Sequence, residues 1–267
     1  MENRKITART LLEMKRQQEK IAALTAYDYT FAQLLDQAGM DIILIGDSAA
    51  MVIGGYSNTL PLTMEQALYH CQAVRKGVKN AMVVADMPFL SYHVSLDKAV
   101  ENAGRFFKEA NVDAVKIEGG EAFLQVAKRF VDCGMPVMGH IGLMPQSVKK
   151  LGGYLVQGTT EASAEKLFQD AIALETAGAF AIVLEKIPAE VAKKITKRVS
   201  IPTIGIGAGP HCDGQILVTF DLLGLYEEFR PKFVRRYAEL GEVARKAFTD
   251  YIRDVKNSNF PNESESY

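Results

Sequence analysis

The chain has 267 residues, 48% hydrophobic and 24% charged, with Lys+Arg 31 against Asp+Glu 32. This is ordinary globular composition with ample material for a core, and the length fits one large α/β barrel or two small domains. The lack of a basic excess argues against nucleic acid, no run approaches the roughly 20 apolar residues of a membrane span, and three scattered cysteines (Cys71, Cys133, Cys212) predict reduced thiols in the cytoplasm.

The opening stretch "MENRKITARTLLEMKRQQEK" is polar, unlike a signal peptide, and 7–18 reads as an N-terminal helix. A first strand-like run, "IAALTAYD", leads into three similar stretches, "LDQAGMDIILIGDS", "FKEANVDAVKIEGG" and "LETAGAFAIVLEKI". Each has a helix end, a small turn, a short apolar run and an acid. "VRKGVKNAMVVADMP", "CGMPVMGHIG" and "KRVSIPTIGIGAG" are looser copies. The runs are rich in Val, Ile and Leu with little polar alternation, as parallel strands covered on both faces require. Between them, 64–76, 96–110, 122–133 and 164–177 are amphipathic at helical spacing. Thr63 and Ser95 sit where N-caps belong, and Gly39, Gly77, Gly134 and Gly178 where C-caps belong.

Seven βα-like units in order, with "GQILVTFDLLGL" as an eighth of uncertain boundaries, predict a single (β/α)8 TIM barrel over 1–267, with a doubly wound open sheet as the alternative. The N-terminal helix falls within 1–20, C-terminal helices within 231–256, and 257–267 is a polar tail. The loop "GGYSNTLPLT" is long enough to cover a barrel mouth.

Asp47, Asp86, Glu118 and Glu185 each end an apolar run, and His140 ends another. In a barrel, five such strand tips converge on the mouth where this fold carries its active sites. In "VKIEGGE", Lys116 and Glu118 lie two apart and so share a face of the strand. That pair is either a structural ion pair or a lysine for an anionic substrate beside a metal-shell acid. Four carboxylates cannot all ionise in one pocket without positive charge. No Cys/His spacing suits zinc, so oxygen ligands point to Mg²⁺ or a similar cation. "GIGAGPHCDGQ" lacks the third glycine of a dinucleotide fingerprint, since Cys212 occupies that position. Its glycines serve either phosphate binding or a tight turn. His70, His93 and His211 have no evident partner.

"TAYDYTFA", "LIGDS", "TLPLT", "ADMPF", "VKIEGGE", "GHIGLMPQS", "GGYLVQG", "LEKIP" and "GIGAGPHCDGQILV", in this order, resemble the 3-methyl-2-oxobutanoate (ketopantoate) hydroxymethyltransferase family. The resemblance implies a (β/α)8 enzyme of pantothenate and coenzyme A synthesis. It moves a one-carbon unit from 5,10-methylenetetrahydrofolate, a co-substrate, to an oxo acid. It also implies that Asp47, Asp86 and Glu118 belong to a Mg²⁺ site and that Asp47, Ser48, Asp86, Lys116 and His140 contact the oxo acid. Glu185 is then the base, and the assembly a cytoplasmic homo-oligomer, commonly a decamer. Ala49-Ala50, Met144 and Leu155 depart from the usual Leu-Gly, Thr and Lys. Two other readings are a lyase or phosphonomutase of the same barrel type and a non-catalytic barrel.

Overall fold

The computed structural model describes residues 5–228 and 230–267. Eight strands, β1 (Ile21–Thr25), β2 (Ile42–Ile45), β3 (Met82–Asp86), β4 (Ala114–Glu118), β5 (Val137–Gly142), β6 (Ala181–Glu185), β7 (Thr203–Ile206) and β8 (Gly214–Leu217), form a closed parallel barrel in sequence order. β8 closes on β1 through the register Ile21↔Gly214. Closure of the sheet excludes the open doubly wound alternative and supplies the eighth strand whose bounds the sequence left open. By internal contacts the chain divides into one compact unit ending at Leu217 and a second, Val218–Tyr267.

Local chemistry sets the helix starts. The Thr63 and Ser95 hydroxyls accept the backbone N–H of Gln66 and Lys98, capping Met64–Gly77 and Leu96–Ala110 as predicted. The expected 164–177 helix begins earlier, at Glu161, because Thr160 caps it with a hydrogen bond from the Ser163 N–H. The expected 122–133 helix is preceded by a 3₁₀ turn, Glu121–Phe123, and runs Leu124–Asp132. Gly39, Gly134 and Gly178 lie in the left-handed region after helix ends. Gly77 does not: it is the last helical residue, and a Cβ there would stand 2.6 Å from the Tyr29 carbonyl oxygen. Its glycine serves close helix packing rather than a cap. The helix Ala8–Arg16 begins at a Thr7 capping box and sends fully buried Leu11 into the barrel core. Burying such a leucine contributes roughly 1.5–3 kcal/mol.

That core explains the charged strand ends. On an extended chain residues two apart share a face. Ala114, Val84, Met138 and Val183 belong to the interior cluster, and two residues further along their strands come Lys116, Asp86, His140 and Glu185. The inward face is thus apolar low in the barrel and ionisable at the C-terminal tips. The outward residues Ile141, Ile182 and Leu184 pack instead with helix residues Leu167, Leu174 and Ile195.

The second unit contains the helices Thr219–Leu222 and Leu240–Lys256 and a 3₁₀ turn at Glu263–Glu265. Helix in the expected 231–256 stretch begins only at Leu240; Pro231 opens a turn closed by the Val234 N–H. No described helix is long and apolar enough to cross a membrane.

Candidate active site

Five of the seven predicted residues, Asp47, Asp86, Lys116, Glu118 and His140, are buried, and their contacts run between neighbouring strands. Register sets these contacts. Asp86 pairs with Lys116 across β3 and β4, and the Lys116 ammonium donates to Asp86 Oδ2 at 2.6 Å. Lys116 therefore binds the acid of the next strand, not Glu118 on its own strand. Glu118 pairs in register with His140 across β4 and β5. His140 Nδ1 lies 3.5 Å from Glu118 Oε1, and Nε2 lies 3.2 Å from Glu185 Oε2. One imidazole thus stands between two carboxylates.

The neighbouring loops complete the frame. The Gln146 N–H donates to Glu118 Oε2 at 3.0 Å, and its side-chain amide donates to the Met87 carbonyl at 2.9 Å. The Tyr92 hydroxyl accepts the Glu118 N–H at 3.1 Å and lies 3.2 Å from Gln146 Oε1. Ser48 joins the Tyr27 hydroxyl at 2.8 Å, and His70 Nδ1 meets the Tyr27 carbonyl at 2.7 Å. His70 therefore has a partner that its sequence neighbours did not reveal. Tyr27, Tyr92 and Gln146 are the supporting residues that residue-type reasoning passed over. Tyr27 and Gln146 lay inside quoted motifs, "TAYDYTFA" and "GHIGLMPQS", and Tyr92 carried no such signal.

Electrostatics shows an unbalanced site. Burial, opposed by Lys116 and reinforced by Asp47 and Glu118, pushes the Asp86 carboxyl up to about 7. Burial likewise raises Glu118, against the pull of His140. His140 is raised to about 9: burial and Lys116 pull it down, and Glu118 and Glu185 more than offset them. Four carboxylates thus face a lysine and a histidine, and an ion of charge two would balance the set. Buried Asp47 Oδ2 and Asp86 Oδ1 have no hydrogen-bond partner, and Glu118 Oε1 has only the His140 ring nitrogen at 3.5 Å. Such oxygens are costly unless something else meets them. Among the described residues no three His, Cys, Asp or Glu side chains form a ready metal cage. Orphaned carboxylate oxygens are the hard donors that a divalent cation such as Mg²⁺ takes beside waters and substrate oxygens.

Glu185 differs from the other acids. Its side chain is 14% exposed, against 2% for Asp86 and Glu118. It is the acid most open to an incoming substrate. In the 205–209 run a Cβ on Gly205 would stand 2.9 Å from Cys212 Sγ and one on Gly209 2.5 Å from Ala189 Cβ, and Gly207 and Gly209 turn the backbone at positive φ. In the loop after β2, Thr59 and Leu62 turn into the protein while 54–57 stays exposed. Cys71, Cys133 and Cys212 are free thiols.

Comparison with known proteins accords with this geometry. The family model for ketopantoate hydroxymethyltransferase matches residues 5–263. The chain is 55% identical to 3-methyl-2-oxobutanoate hydroxymethyltransferase of Chlorobium phaeobacteroides, covering 98% of this chain and 96% of the relative. It is 52% identical to the enzyme of that name from Syntrophus aciditrophicus, covering 99% and 97%. Among solved structures it resembles phosphonopyruvate hydrolase in complex with oxalate and Mg²⁺ (TM-score 0.63, 13% identity, 97% and 93% covered). It also resembles 2,3-dimethylmalate lyase (TM-score 0.62, 16% identity, 97% and 91% covered). Those two likenesses establish the barrel fold; the full-length relatives decide between the lyase-type and transferase readings. The chain belongs to the ketopantoate hydroxymethyltransferase family.

Proposed function

We propose that the protein transfers a hydroxymethyl group from 5,10-methylenetetrahydrofolate to C3 of 3-methyl-2-oxobutanoate, giving 2-dehydropantoate, with Mg²⁺ at the barrel mouth. The observation that carries this is the pair of orphaned oxygens on Asp47 and Asp86, with Glu118 Oε1 held only by His140, beside a more open Glu185, in a chain of this family. Asp47, Asp86 and Glu118 would hold the ion. When bound it supplies Lewis-acid polarisation of the oxo group, which makes the C3 proton acidic.

The chain's own groups do the rest. Lys116, locked on Asp86 by one N–H, has further donors for the substrate carboxylate. The Ser48 hydroxyl, hydrogen-bonded to Tyr27, would contact the same end. Glu185 takes the C3 proton, and His140, 3.2 Å from its Oε2, fixes that carboxylate and compensates its charge. The C3 carbon then bonds to the folate methylene as one of its two C–N bonds breaks. Water supplies the product hydroxyl as the second breaks, and the two donor nitrogens take up the C3 proton and one proton of the water. The same reading makes the enzyme a cytoplasmic homo-oligomer, which rests on family resemblance; sedimentation of the full chain tests the assembly.

The decisive experiment follows loss of the C3 proton of 3-methyl-2-oxobutanoate in D₂O by NMR, with Mg²⁺ and then with a folate analogue added. Wild type is expected to exchange the proton. Glu185→Gln, which keeps shape but not basicity, should bind the oxo acid and lose exchange by roughly 10²-fold or more. Equal exchange by Glu185→Gln would make His140 the next base to test. No exchange with or without the analogue, and no product from the full substrates, would end the proposal.

A further inference from the structure

Position 186 is unusual for a lysine. Lys186 follows Glu185 directly and holds φ at +48°, a left-handed conformation that glycine adopts at less cost. What a lysine brings to such a position is its side chain. Its ammonium donates to the Tyr154 carbonyl. Its backbone is fixed on both sides: the Lys186 N–H donates to the Ile206 carbonyl of β7 at 2.8 Å, and the Gln157 N–H donates to the Lys186 carbonyl at 3.0 Å.

The segment so held, 152–157, leaves the barrel after β5 and is bounded by Gly152, Gly153 and Gly158, all at positive φ. At Gly152 and Gly153 an added Cβ would meet nothing within 4 Å, so backbone freedom, not space, calls for glycine there. Within the run Leu155 and Val156 are 59% and 47% exposed, whereas Tyr154 is half-buried. The Tyr154 hydroxyl reaches Met51 Sδ at 3.8 Å, on the short helix Ala49–Val52 directly after Asp47 and Ser48. Burial, then the charges of Asp47, Glu185 and Glu118, raise its phenol, so the ring lies within the field of the site's acids. β2 and β6 are four strands apart in a closed eight-stranded barrel and therefore face one another. Tyr154 is tied to the β6 side by Lys186 and touches the β2 side through Met51.

We propose that Lys186 is a positioning residue that straps 152–157 across the mouth, so that the Tyr154 ring roofs the oxo-acid pocket and slows escape of the bound substrate. The substrate in this statement rests on the function proposed above. Lys186 and Tyr154 take no part in proton removal, so their loss acts on substrate retention while Glu185 continues to work.

Two readouts on the full chain test this. Amide hydrogen–deuterium exchange of the free protein should show 152–157 exchanging about tenfold faster in Lys186→Met than in wild type, as expected for loss of about one hydrogen bond. Lys186→Arg, which can still donate to the carbonyl, should restore most of the protection. In the C3 proton assay, Lys186→Met and Tyr154→Ala should each raise KM for the oxo acid by about tenfold, with kcat within about twofold of wild type. Wild-type protection of 152–157 in Lys186→Met overturns the strap. Faster amide exchange with unchanged KM overturns the roofing role. An equal fall in kcat with KM unchanged would show that Lys186 acts on the chemistry, which also overturns it. Failure of wild type to exchange the C3 proton defeats the proposed function alone; the amide measurement, which needs no substrate, still decides whether Lys186 holds the segment.

Discussion

Aspartates sit at both ends of this barrel, and the two ends treat them in opposite ways. At the N-terminal ends of the strands Asp36, Asp113 and Asp213 all have partners. Asp36 accepts the N–H groups of Lys79, Asn80 and Ala81 at 2.8–3.0 Å, just before β3. Asp113, immediately before β4, joins Lys5, Arg75 and the Val83 N–H. Asp213, immediately before β8, joins Lys15 and Thr203. At the C-terminal tips, buried oxygens of Asp47 and Asp86 are left over, and Glu118 Oε1 meets only the His140 ring at 3.5 Å. Asp36 and Asp86 differ accordingly in pKa direction. Asp36 is lowered, because three backbone N–H groups outweigh the opposing effect of burial. Asp86 is raised, because burial and like charges outweigh Lys116. Carboxylates before a strand hold loops together; those after it keep oxygens that no hydrogen bond within the chain satisfies.

The largest effect expected from this contrast is on activity at the mouth. Asp47→Asn should lower turnover by about 10²-fold or more, by removing charge from the cation site. It should not lower the melting temperature, because Asp47 Oδ2 has no partner to lose and one like charge leaves the cluster. Asp86→Asn should lose activity similarly and also destabilise, since it removes the countercharge of the buried Lys116 ammonium. Activity assays with thermal melts distinguish the two, and a marked loss of stability in Asp47→Asn would contradict the contrast.

Next in size is Asp36→Ala at the opposite end. Leaving three backbone donors without their carboxylate should cost about 2–3 kcal/mol, or roughly 4–12 °C in melting temperature. Turnover per folded molecule should be unchanged. The pH sign follows from the lowered pKa: the contribution of Asp36 is present above its ordinary value of 3.8 and is lost as pH falls through the lower folded value. The wild-type advantage over Asp36→Ala should therefore shrink in acid.

The smallest effect belongs to Asp41, which accepts one N–H, from Ala22 at 2.8 Å, and whose carboxyl is raised by burial. Folding disfavours its charge, so Asp41→Asn, which keeps an acceptor, should change stability at neutral pH by less than about 1 kcal/mol. A large loss in a denaturant titration would show that charge, rather than hydrogen bonding, matters at that end.

Much of this was legible in the sequence because one periodicity carries it. Apolar runs followed by acids placed the strands, and their ends fell on the tips that hold Asp86, Glu118 and Glu185. Which acid meets which cation was not legible. Lys116 and Glu118 share a face, yet the partner of Lys116 lies on β3 and that of Glu118 on β5, and strand register depends on packing around the whole barrel. Tyr92 and Gln146 escaped for a related reason: they act from loops, whose course no period describes. Asp41 and Asp113 stand just before apolar runs and look like the acids that follow them; only their place relative to the strand tells the two kinds apart.

Cation binding tests the central claim most directly: the partnerless mouth oxygens form a Mg²⁺-type site and the satisfied acids do not. Mn²⁺ can be titrated into the full chain and followed by electron paramagnetic resonance, with Mg²⁺ as competitor. The expected result is saturable binding displaced by Mg²⁺, weakened at least about tenfold in Asp47→Asn and unchanged in Asp36→Asn. No binding by wild type, or equal binding by wild type and Asp47→Asn, would contradict it.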